Sequence, residues 1–295
     1  MRKTKVAKRA KVQLEFTSNG RYDDKIVKKY IERSVKYPSV GWGCVVHPPC
    51  AVVGGGPGLD SCLGVLREWK GDIFAVNDTA GYLSDQGVGS YIYSIDAIDV
   101  PYRIGSLVKG AVFATRVHPN QFKQFKKENV RVFSMAEDNN GDGIEGGPTG
   151  VCRTPHLFLQ MGYRAIVYFG IEGCFYNTTH MGGNRDDAFW NMMIIEVAKK
   201  QYLTNGGLLL QTRCMVDYFQ KFPKFLMNAS GGFMEAMLKD PQGWDVIAVS
   251  GDLKSQYDAS GCSVFNEAHT INEDKFWHPP LAITSVKIEA PNAAI

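Results

Sequence analysis

The sequence predicts an α/β protein with a mostly parallel, doubly wound, Rossmann-like sheet and an irregular C-terminal extension. Three observations predict it. Short continuous apolar runs alternate with helix-period segments through the middle of the chain, as strands buried on both faces by crossover helices would. Polar or glycine residues close those runs repeatedly, at Gly54–Gly56, Asn77 and Asp78, Asp96 and Glu172. The run Ala51–Val53 passes through Gly-Gly-Gly-Pro-Gly directly into a helical pattern, a strand–turn–helix junction.

Taken in order, residues 1–45 read as a basic N-terminal arm and helix. Residues 1–36 hold 12 Lys/Arg against 4 Asp/Glu, which leaves 21 against 26 in the rest of the chain. Such an arm suits weak contact with nucleic acid or an acidic partner, or is simply solvated; few aromatics interleave its charges. After the first strand, Leu59, Leu63, Leu66 and Trp69 recur at helical spacing. Ile73–Val76 reads as a strand followed by a short helix to about Ser84, and Tyr91–Ile95, Ala111–Thr115 and Val130–Ser134 as further strands. Thr149–Met161 is a helical stretch in which Pro155 would start or kink the helix.

Ala165–Phe169 is the next strand. Asp187–Tyr202 reads as an amphipathic helix with Trp190, Met193, Ile194 and Val197 on one face, and Leu208–Gln211 as another strand. Asn228–Gly232 is a small-residue turn before a helix over Phe233–Leu238. Residues 251–295, with Pro279-Pro280, read as an irregular tail, so residues 46–250 carry the α/β domain.

Composition narrows the class. Hydrophobic content of 44% and charged content of 21% are those of an ordinary globular protein with a well-buried interior. No apolar run approaches the roughly 20 residues that cross a bilayer, so no membrane partner is expected. The basic start lacks an apolar stretch behind it, unlike a secretory signal. Seven cysteines, an odd number with no C-x-x-C pair, argue against a disulfide framework and a zinc cluster; the expectation is reduced thiols in a cytoplasmic protein.

The chemistry gathers at the strand ends, where open α/β sheets bind ligands. Gly54, Gly55, Gly56 and Gly58 lead into a helix start, which suits a phosphate cradled by backbone N–H groups, although a tight packing turn has the same look. The loop is neither a Walker motif nor the Gly-x-Gly-x-x-Gly spacing. Thr149 and Gly150, at the end of Gly-Gly-Pro-Thr-Gly, offer a second anion-contacting turn or a plain helix start. His180, in a glycine-flanked loop after Glu172, is placed to move protons near neutral pH. Asp138–Gly143 imitates the first half of a calcium loop, but Thr149 stands where a bidentate Glu is needed, and a polar turn is the simpler reading.

These motifs, in this order, resemble a superfamily that joins the 6-hydroxymethylpterin diphosphokinase-like proteins with bacterial sialyltransferases. Its members open with a strand running into Gly-x-Gly-Pro-Ser-Leu, here Gly54-Gly55-Gly56-Pro57-Gly58-Leu59. A strand ending in Asn follows, here Ile73–Asn77, then a small-residue turn and helix, here Gly147–Val151. Gly162-Tyr163, the strand Ile166–Phe169 and Gly170-Ile171-Glu172 match a Gly-Tyr/Phe, an apolar strand and Gly-x-Asp, and His180 matches a histidine that commonly follows. The resemblance spans about residues 50–182, with Gly58 in place of the serine and Glu172 in place of the aspartate.

The resemblance implies transfer from a nucleotide donor. In the pterin-type members ATP gives a diphosphate to a hydroxyl with magnesium; in the sialyltransferases a nucleotide sugar is used without metal and a loop histidine takes the acceptor's proton. On either reading Gly54, Gly55, Gly56 and Gly58 contact phosphate, Asn77 contacts the nucleotide with Thr149 and Gly150 nearby, Asp96 and Glu172 hold magnesium or ribose, and His180 is the base. The acidic pair favours ATP with magnesium and diphosphate transfer, and His180 favours a glycosyltransferase. A non-catalytic nucleotide- or nucleic-acid-binding module is the third reading, with Gly58 and Glu172 as marks of lost catalysis.

Overall fold

The protein is described by a computed structural model over residues 11–17, 23–41, 43, 46–99, 101–138, 141–175, 181, 192–249 and 282–289. Its elements begin with β1 (Lys11–Thr17), α1 (Asp24–Ser34), β2 (Cys50–Val53), α2 (Leu63–Arg67), β3 (Ile73–Val76), α3 (Thr79–Asp85), β4 (Ser90–Ser94), β5 (Val108–Ala114), α4 (Pro119–Phe122) and β6 (Val130–Phe133). They continue with α5 (Gly150–Met161), β7 (Ile166–Phe169), β8 (Met192–Val197), β9 (Lys200–Asn205), α6 (Gly206–Lys221), β10 (Leu226–Asn228), α7 (Gly232–Lys239), β11 (Trp244–Val249) and β12 (Ala282–Glu289). Among the described residues no helix is long and apolar enough to cross a membrane.

Seven strands form the main sheet in the order β10-β7-β2-β3-β4-β5-β6, every neighbouring pair parallel. The predicted α/β class is therefore observed, and flanking helices explain the continuous apolar runs. Cys50 to Val53 in β2 are wholly inaccessible to solvent, as a central strand covered on both faces requires. The winding has one reversal. From β2 the chain steps outward through β3, β4, β5 and β6, then returns to place β7 on the other side of β2. Ligands of open parallel sheets sit where the carboxyl ends of two such strands diverge.

Aromatic side chains hold α5 against the sheet. Phe158 of α5 stacks on Phe74 of β3 with ring centroids 4.3 Å apart, and the Tyr93 hydroxyl of β4 donates to the Gly150 carbonyl at 2.9 Å. Those contacts fix the start of α5 above the strand ends. Pro155 sits inside this helix rather than starting it. Its missing N–H would free the Val151 carbonyl, and the Thr154 hydroxyl donates to that carbonyl at 2.7 Å. The helix stops at Gly162, whose φ of 105° is the left-handed conformation that glycine tolerates.

Three expectations are corrected. The predicted helix over Asp187–Tyr202 is, where described, the hairpin β8–β9, turning at Ala198 and Lys199 with φ of 49° and 66°. Strand β8 lies between β9 and β11 and buries both faces, so its apolar run does not alternate, and Ala-Lys lacks the Gly or Asn that announces such a turn. The predicted strand Leu208–Gln211 lies inside α6, capped by the Asn205 side chain, which accepts the Leu208 amide at 2.9 Å. The tail over 251–295 is not wholly irregular: β12 pairs antiparallel with β1, from Lys11 opposite Glu289 to Thr17 opposite Ala282. The start of the basic arm, before Lys11, lies outside the described residues.

Candidate functional site

A cavity of about 300 Å³ opens at the sheet's single reversal, between the loops that leave β2 and β7. Gly54 to Pro57 form one wall, Gly170 to Phe175 another, Asn77 to Thr79 a third, and Asn205, Leu208 and Gln211 of the α6 start close it. The four glycines of the first turn serve different ends. Gly54 lets the β2 and β7 loops touch, since a side chain there would meet the Gly170 carbonyl 2.5 Å away, and the Gly56 amide donates to that carbonyl at 2.9 Å. Gly55 faces the cavity beside Thr79 and Met181.

Gly56 and Gly58 make room for Glu172. A Cβ at Gly58 would stand 2.5 Å from Glu172 Oε1, and one at Gly56 would collide with Oε2. The carboxyl thus lies across the glycine turn, in the position where the sequence suggests an anion. Glu172 is held there by its backbone: Gly170 and Gly173 on either side have φ of 64° and 71°, and the Glu172 carbonyl accepts the Met234 amide at 2.8 Å. The residue is 1% exposed, and among the described residues neither carboxylate oxygen has a hydrogen-bond partner. Burial pushes its pKa up to about 7; the approaching Glu172 and Gly58 amides oppose the rise without completing a hydrogen bond.

Asn77 closes β3 with φ of 51°, a left-handed backbone that Asn adopts more readily than most residues. Its Nδ2 donates to Asp96 Oδ2 at 2.7 Å. That bond orients the amide and leaves Asn77 Oδ1, on a residue lining the cavity, without a partner among the described residues. Thr149 and Gly150 stand one layer behind. The Thr149 hydroxyl donates to Gln211 Oε1 at 2.9 Å, joining the start of α5 to the cavity wall.

The structure therefore gathers Gly54, Gly55, Gly56, Asn77 and Glu172 around one space, with Gly58 beneath Glu172 and Thr149 reaching it through Gln211. Asp96 lies behind Asn77 and does not line the cavity. Glu172 lines the cavity and Asp96 stands at its edge, bonded to Asn77; among the described residues no cluster of three His, Cys, Asp or Glu side chains is found that could hold a metal ion. His180 lies outside the described residues; Met181, next in sequence, lines the cavity and donates its amide to the Gly55 carbonyl at 3.1 Å. Asn205 and Gln211 were absent from the sequence-derived candidates, and the signal for them was Asn-Gly-Gly ahead of a helical apolar pattern.

Charge in the cavity is one-sided. Asp78 and Glu172 are its charged lining residues, and among the described residues no Lys or Arg enters it. Among the described residues, attraction for an anion comes from helix starts and backbone amides. No protein-family model, curated protein or solved structure matches the chain.

Proposed function

We propose that this chain is a nucleotide-dependent transferase whose donor occupies the cavity at the β2/β7 reversal. The observation that supports this most is the position of that cavity, at the switch point of a parallel sheet and against the start of the 16-residue helix α6. The start of α6, the start of α5 at Val151 and the open face of Gly55 suit a diphosphate. Asn77 Oδ1, across the cavity, suits a hydrogen-bond donor such as a sugar hydroxyl.

In the leading reading the donor is ATP. The acceptor's hydroxyl oxygen bonds to the β-phosphorus, the bond from that phosphorus to the oxygen bridging it to the α-phosphate breaks, and AMP leaves. The acceptor's proton passes to a base, for which the sequence offers His180. Glycosyl transfer from a nucleotide sugar is the second reading. It is favoured by the place of Asp96, whose carboxylate is taken up by Asn77 and is not among the residues lining the cavity, since the sialyltransferase chemistry this sequence resembles needs no metal held by a carboxylate pair.

A thermal-shift panel of ATP, CTP, UTP, CMP and UDP, each with and without magnesium, tests the proposal. A ligand at about 100 times its dissociation constant adds about 2.7 kcal/mol, an easily read rise in Tm. Stabilisation by ATP supports diphosphate transfer, and stabilisation by CMP or UDP regardless of magnesium supports glycosyl transfer. A flat response to the whole panel contradicts both.

A further inference from the structure

Gly147, in the Gly-Gly-Pro-Thr-Gly turn ahead of α5, has no side chain, and two sulfurs meet over the space this leaves. A Cβ at that position would stand 2.5 Å from Cys214 Sγ of α6 and 3.2 Å from Cys152 Sγ of α5. Both cysteines are free, and 61 residues lie between them in the sequence. Their helices are already joined at this point. Cys152 Sγ reaches the Gln211 carbonyl at 3.8 Å and the Thr149 hydroxyl at 3.3 Å, and that hydroxyl donates to Gln211 Oε1 at 2.9 Å. Cys152 is wholly buried in the first turn of α5, whereas Cys214 is only half-buried.

The hydrogen bond between the two sulfurs pulls the Cys152 thiol down and pushes Cys214 up. The pair's first negative charge therefore rests on Cys152, where the start of a helix favours it, and Cys214 keeps its proton. We propose that Cys152 and Cys214 form a reversible modification site, oxidised by hydrogen peroxide to a disulfide that ties the start of α5 to α6. Cys214, the more exposed sulfur, gives the small neutral oxidant its approach. The Cys152 sulfur bonds to one peroxide oxygen, the O–O bond breaks, and the departing oxygen takes the Cys214 proton and leaves as water. The Cys214 thiolate then bonds to the sulfur of the sulfenic acid, the S–O bond breaks and hydroxide leaves. Two electrons have passed from the sulfurs to the peroxide, and a dithiol returns them. Val151 lies beside Cys152, Gln211 lies three residues before Cys214, and both line the cavity, so the bond fixes two pieces of its wall.

The test treats the full, reduced chain with a small excess of hydrogen peroxide and then alkylates the remaining thiols. Titration of the denatured product should find two fewer thiols than the seven of the reduced chain. Peptide mapping without reductant should find the Cys152 peptide linked to the Cys214 peptide, and dithiothreitol should restore every thiol. Cys214→Ser should stop at the Cys152 sulfenic acid, trapped by dimedone, while Cys62→Ser should cross-link as the wild type does. Amide exchange in peptides covering Gly150–Met161 and Gly206–Lys221 should slow by roughly tenfold in the oxidised chain. A different cysteine pair in the map, or Cys152 and Cys214 both still alkylated after peroxide, overturns the site. A Cys152–Cys214 bond that leaves exchange in both helices unchanged overturns the tie between them. Neither outcome touches the nucleotide reading above, which the thermal-shift panel tests separately.

Discussion

Gly58 and Glu172, far apart in sequence, meet in space. The Glu172 side chain brings Oε1 to 2.5 Å from where a Cβ at position 58 would stand. A glycine there is what admits the carboxyl. Their contact was not legible from the sequence, because 113 residues lie between them and only the pairing of β7 beside β2 joins them. The burial of Glu172 also sets a stability prediction. Unfolded, its carboxyl ionises near its ordinary 4.5; folded, near 7. Between those values the unfolded chain has lost a proton that the folded chain keeps, so folding stability falls as pH rises from about 4.5 to about 7 and is constant above. The loss is on the order of 3 kcal/mol. Urea unfolding at stepped pH should show that decline in the wild type and a flatter line in Glu172→Gln; parallel lines would contradict it.

At the scale of elements, the cavity is assembled from starts of helices. Helix α6 contributes most, and its position depends on the Asn205 cap at its N-terminus. Asn205→Ala should cost about 1 kcal/mol of stability, the usual price of a lost cap, read as a lowered Tm, and should weaken nucleotide binding because the freed turn lines the cavity. The helix was hidden in the sequence by Leu208-Leu209-Leu210, which reads as a strand core. The residues that show its true period, Leu209, Thr212, Val216 and Phe219, lie on one buried stripe that only becomes visible over the full helix length. The reverse error befell β8, where spacing that suits a helix face is also that of a strand buried on both sides. Local period cannot separate the two without knowing what covers the second face. By contrast, β2, β3, β7 and the start of α5 were legible, because each is an apolar run or capped helix bounded by glycine, asparagine or proline.

At the scale of the whole molecule, the site is a consequence of winding. Strands β2 through β6 progress in one direction, β7 and β10 in the other, and the cavity opens over the carboxyl ends of the strands at that reversal. The sequence showed polar residues at four strand ends and could not say which of them share a crevice. The strand order decides it: the ends of β2, β3 and β7 converge, and Asp96 at the end of β4 falls one layer away, reached through Asn77. A second cavity of about 290 Å³ lies at the opposite, amino-terminal ends of the strands, lined by Phe74, Tyr91, Lys109, Arg131 and Tyr163, and serves as an internal comparison. Amide hydrogen exchange with and without the nucleotide that most raises Tm tests the central claim directly. Protection confined to peptides covering Gly54–Gly58, Gly170–Cys174 and Asn205–Gln211 is the predicted result; protection at Phe74, Tyr91 and Arg131 instead, with the glycine turn unchanged, would contradict it.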